Sequence, residues 1–80
     1  MDDADVVRQI MELSEEEHRL EGSHRGERLT DEEVNRLRGI EIALDQCWDL
    51  LRQRRARRAS GQDPDDAEVR PMGVVEDYQQ

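Results

Sequence analysis

The stretch MDDADVVRQIMELSEEEHRLEG places Val6, Ile10, Leu13, Glu17 and Leu20 at alternating steps of four and three. That spacing predicts a helix over about 3–21 with a seam that packs against a second helix. Asp2, Asp3 and Asp5 sit where the positive end of the helix dipole favours negative charge, and Gly22 marks the stop. GSHRGE follows as a connection without periodicity. In LTDEEV, Thr30 and Glu33 have the spacing of a capping box, with Leu29 and Val34 positioned to staple across it. A second helix is therefore expected over about 31–59, ~45 Å long at the standard rise. Its seam reads as Val34, Leu37, Glu41, Leu44, Trp48 and Leu51. RQRRARRAS collects cations at the end where they complement the dipole, and SGQDPDD ends the helix.

A short connection returns the two helices antiparallel, so residues 1–60 form an all-α helical hairpin of coiled-coil type. Aligning the seams sets Leu20 near Leu37, Leu13 near Leu44, Ile10 near Cys47 and Trp48, and Val6 near Leu51; the acidic start then lies beside Arg52, Arg54 and Arg55. Val6, Val7, Ile10, Met11, Leu13 and Leu20 cover about half of the first helix, more than one neighbour can hide at ~100° per residue. The economical solution is a homodimer, or a higher oligomer, in which hairpins pair into a four-helix bundle, while a different protein partner could cover the same surface. Pro64, Pro71 and Gly73 exclude a third long helix, so residues 61–80 read as an extended or partly disordered C-terminal arm, either a solvated tail or an arm that docks on its own bundle or on another protein with Val74, Val75 and Tyr78 as anchors.

Composition narrows the function classes. Phe is absent and Trp48 and Tyr78 are the only aromatics, so one chain cannot line a large aromatic ligand cavity. A formal charge of −9 repels phosphate backbones and makes nucleic acid an unlikely partner, the Arg-rich end around Arg54 and Arg55 being the place where one would bind. All twelve cations are Arg. This reads as the codon bias of a GC-rich genome, with bidentate carboxylate pairing as the other explanation. The lone Cys47 cannot form an internal disulfide, and no apolar run is long enough for a signal segment or membrane span, which points to a cytoplasmic protein.

Candidate chemistry centres on EEEH. Glu15 and His18 have the spacing of di-iron carboxylate bundles, but with Glu17 on the seam, Glu15 lies ~160° away and faces water. A variant metal site would use Glu17, His18 and Glu41, while the bland alternative is a polar layer that sets register, with Arg38 neutralising the carboxylates. Glu17, His18, Arg38, Glu41, Gln46 and Trp48 are the expected central layer of a non-catalytic interaction module, with no cofactor and with Trp48 as core anchor. Cys47 reads as a small core residue.

EEEHRL, LDQCWDLLRQRRA and the VRP that opens the tail resemble short actinobacterial proteins known as domain of unknown function 2630. The resemblance spans nearly the whole chain and implies a full-length single-domain protein in which helices and tail form one unit. It carries no activity, cofactor or catalytic residue to any position. The encapsulated ferritins are an analogy only, because their metal motif lies on the inner helical face.

Overall fold

Both helices begin where a side chain can satisfy the first free backbone amides. The structure, a computed structural model, describes residues 2–22 and 28–71. Helix α1 spans Asp3–Gly22 and helix α2 spans Asp31–Ala59. At α2 the capping box forms as expected: Thr30 Oγ1 accepts from the Glu33 amide at 3.1 Å and Glu33 Oε1 accepts from the Thr30 amide at 2.9 Å. Asp2 and Asp5 make the same reciprocal exchange at α1, at 2.8 and 3.1 Å. The α2 C-terminus closes with the Gln62 amide donating to the Arg57 carbonyl and the Gly61 amide to that of Arg58. Gly61 sits at φ 77°, the left-handed conformation this ending requires.

The two helices pack as a hairpin, and no strand occurs among the described residues. Val6, Ile10, Cys47 and Leu50 form the buried cluster, with Leu13, Leu44, Leu51 and Ala67 against it. The first helix uses the expected seam. The second is rotated: Ile40 is fully buried and Cys47 and Arg54 nearly so, whereas Val34 is 42% exposed and Trp48 50% exposed, with Glu41 also in solvent. Trp48 is therefore not a core anchor. Two stripes with the same three-four rhythm share Leu37, Leu44 and Leu51, and the fold takes the one that hides Ile40 and Cys47 rather than Glu41 and Trp48. Burying a carboxylate without a partner costs far more than leaving an indole half in water.

Beyond α2 the chain turns back. Asp63 caps a short 3-10 turn at Pro64–Asp66, its Oδ1 accepting from the Asp65 amide at 2.9 Å. Residues 67–71 then run antiparallel to α2 as a strap. Gln53 Nε2 donates to the Glu68 carbonyl at 2.7 Å, and Gln46 Nε2 to the Arg70 carbonyl at 3.3 Å. Leu50, outside the seam read from the sequence, is buried on the side the strap takes. The described molecule measures 50 × 25 × 16 Å with a radius of gyration of 15.0 Å, against ~12 Å for a compact domain of this length. With helix diameters of ~10–12 Å, this is one layer of helices rather than two.

Candidate functional site

Three Arg–carboxylate clasps hold the layer together, and each one joins segments distant in sequence. Near the loop end, Arg36 on α2 grips Glu16 on α1 through both Nε and Nη2, each at 2.6 Å. Arg36 holds the Glu16 carboxyl below its ordinary range. At the open end, Arg54 is 5% exposed and donates to Asp3 Oδ1 at 2.5 Å, to Asp65 Oδ1 at 3.0 Å and to the Pro64 carbonyl at 3.1 Å. One guanidinium thus ties the start of α1, the body of α2 and the 3-10 turn. Arg58 approaches the other Asp3 oxygen at 2.8 Å, and Arg58 and Arg54 together depress the Asp3 carboxyl.

The third clasp is the most buried. Asp49 has no exposed surface, and it accepts from Arg70 Nε at 2.8 Å, from Arg70 Nη2 and from Gln53 Nε2 at 2.9 Å. The Arg70 guanidinium lowers the Asp49 carboxyl and outweighs the opposing effect of burial. A Lys in place of Arg36, Arg54 or Arg70 could not span two acceptors in one plane. Fork geometry therefore accounts for Arg at these three positions, beyond any codon bias.

The clasps and strap make the two broad faces unlike. At ~100° per residue, Gln9, Glu12 and Glu16 turn to one side of the α1 seam and Val7, Met11, Ser14 and His18 to the other. On α2, Ala43, Gln46, Leu50 and Gln53 turn one way and Val34, Glu41 and Trp48 the other. Gln9, Glu12, Leu13, Glu16, Ala43, Gln46, Cys47, Leu50 and Val69 line one open groove of about 480 Å³, which fixes the strap side. Val7, Met11, Val34 and Trp48 consequently share the opposite face, where they are 43, 61, 42 and 50% exposed.

The expected central layer divides between these sides. Glu17 is half-buried and His18 exposed, and both line a hollow on α1 with Ser14, Glu15 and Arg19. Arg38 and Glu41 border a separate hollow with Leu29, Val34 and Leu37. Gln46 serves the strap. Arg54 is spent inside the molecule, while Arg55 is exposed. Val74, Val75 and Tyr78 lie outside the described residues. No group of three or more His, Cys, Asp or Glu among the described residues is placed to hold a metal ion. Cys47 donates its thiol to Gln9 Oε1 at 3.7 Å, and burial pushes that thiol up.

The family model for the protein of unknown function DUF2630 matches residues 2–80. The chain belongs to the DUF2630 family. The DUF2630 match runs through both helices and the strap. Three curated relatives are the uncharacterized proteins Rv0898c and MT0921.1 of Mycobacterium tuberculosis and Mb0922c of Mycobacterium bovis. Each is 49% identical over 77 residues, covering 95% of this chain and 88% of the relative. No solved structure matches the chain. No helix among the described residues of this DUF2630 protein is long and apolar enough to cross a membrane.

Asp49, Arg70, Asp3, Asp65 and Gln53 were not singled out as site residues from the sequence. A signal for one clasp was present: Arg70 is the only cation from Gly61 to Gln80, and CWDLL sets one acid among apolar residues. Joining them required knowing that the tail turns back at Gly61.

Proposed function

We propose that this protein is a non-catalytic helical interaction module that self-associates through the face opposite the strap, two hairpins stacking into a four-helix bundle. The observation that carries this reading is the shared exposure of Val7, Met11, Val34 and Trp48 on one side of a single helical layer. Helical domains bury their stripes between two layers, and a symmetric second copy supplies the missing layer with one self-complementary patch. A face 50 Å by 25 Å accommodates the ~800 Å² per partner of a standard interface. The polar groups on this side, Ser14, His18, Arg38 and Glu41, then fix the register of the pair rather than perform chemistry.

Trp48 is the only tryptophan, so it reports on this face directly. On dilution its emission should shift to the red as the pair separates. Met11→Glu, at a position 61% exposed, should give the red-shifted spectrum at every concentration without loss of helix content. An emission maximum independent of concentration, and unmoved by Met11→Glu, would refute self-association through this face.

A further inference from the structure

Resting on the self-association reading, we propose that the two copies stack antiparallel, α2 on α2, about a two-fold axis at Trp48, with Arg55 of each copy paired to Glu41 of the other. Glu41, Trp48 and Arg55 recur every seventh residue, so they form one nearly straight row on α2 with the indole midway, ~10 Å from either end. All three are exposed. Trp48 lies ~100° round the helix from the buried Cys47, so the row stands out of the plane of the two helices toward a second layer. Neither Glu41 nor Arg55 has an ion-pair partner among the described residues, whereas Arg36, Arg54, Arg58 and Arg70 are committed inside the chain.

Along the chain the row runs acid, indole, base. A two-fold axis across it at Trp48 sets the acid of one copy against the base of the other at two symmetric places and brings the indoles together. Packed helices lie ~8–10 Å apart, a span that Arg and Glu side chains bridge. The first helix obeys the same axis. Cys47 meets Gln9 and Arg54 meets Asp3, so Trp48 is level with the stretch between Val7 and Met11. Val7 of each copy then falls on Met11 of the other, which covers both exposed side chains. The alternative orientation, with like ends together, sets α2 on the partner's α1 and leaves Arg55 without a carboxylate. Ala4 and Val7 are what the start of α1 turns to this face, and its acids are held within the chain, Asp3 by Arg54 and Arg58 and Asp5 by Arg8. Arg38 stands ~60° off the row from Glu41, toward the edge of the layer.

Light scattering on the full chain across a concentration series tests this register. Arg55→Glu and Glu41→Arg, both at exposed helical positions where folding is not at risk, should each raise the dissociation constant of the pair by about tenfold or more, because like charges then meet at two symmetric places. Mixed in equal amounts, the two variants should recover the affinity of the unaltered chain as a heterodimer, and the chain carrying both substitutions should recover it as a homodimer. A pair indifferent to both single substitutions, or weakened by them and not recovered on mixing, would overturn this register and leave self-association standing. A single chain at every concentration of the unaltered protein would overturn both.

Discussion

Replacing Arg70 by Ala tests the most buried feature of the fold. Asp49 has no solvent exposure and accepts three hydrogen bonds, two of them from Arg70. Removing one partner of a buried ion pair costs ~3–5 kcal/mol when the remaining charge stays buried. Here the strap can detach and let water reach Asp49, so the loss is limited to what strap docking contributes. We therefore expect about 2–3 kcal/mol, with part of the full penalty relieved by hydration. A chain this size has a total stability of ~4–12 kcal/mol and shifts its Tm by ~4–8 °C per kcal/mol, so Tm should fall by ~10–20 °C. The assay is thermal unfolding followed by circular dichroism at pH 7, at fixed protein concentration because self-association also moves Tm. Arg70→Lys should recover only part of the loss, since an ammonium cannot span both carboxylate oxygens. The pair Asp49→Leu with Arg70→Leu should lie closer to the unaltered protein than Arg70→Ala does, because no buried carboxylate is then left without Arg70, the remaining loss being the attraction of Arg52, 3.8 Å from Asp49. A Tm for Arg70→Ala within about 2 °C of the unaltered protein would refute the reasoning.

Acid should weaken the molecule for the same reason. Asp49 and Asp3 are held below the ordinary carboxylate range by their Arg partners, so their contribution is complete above that range and lost as pH falls through their folded values. Unfolding curves should be flat from pH 7 to about 5 and decline below about 4, more shallowly in the double leucine variant. Gly61→Ala should cost about 1 kcal/mol through its left-handed backbone, read in the same melts, with no effect on self-association. Thr30→Ala should cost about 1 kcal/mol by opening the capping box of α2. The Cys47 thiol should react with a disulfide reagent far more slowly than a free thiol at pH 8, since burial raises it and Gln9 accepts its proton. Equal rates in folded and unfolded protein would count against a shielded Cys47.

The hairpin was legible because its signals are local. A capping box, a glycine stop and two three-four rhythms each lie within a few residues, and the structure places α1 and α2 close to where those signals put them. The rotation of α2 was not legible. Its two stripes share three leucines, and the choice between Glu41 with Trp48 and Ile40 with Cys47 depends on what α1 and the strap cover. The clasps were harder still, because Asp49 meets Arg70 across 21 residues and Arg54 meets Asp3 across 51. Placing the acidic start beside Arg54 followed from aligning the helices, and that contact is present. Arg55, placed in the same group, points outward because it lies one residue on, ~100° round the helix from Arg54. Glu17 meets the hairpin as a half-buried group, whereas Glu41 is exposed and borders a different hollow.

The proposal that a single helical layer finds its second layer in another copy is tested most directly by mass. Light scattering across a concentration series should give twice the mass of one chain at high concentration, and Trp48→Glu should hold the protein at one chain while keeping its helix content. A monomer at every concentration, or a dimer indifferent to Trp48→Glu, would contradict it.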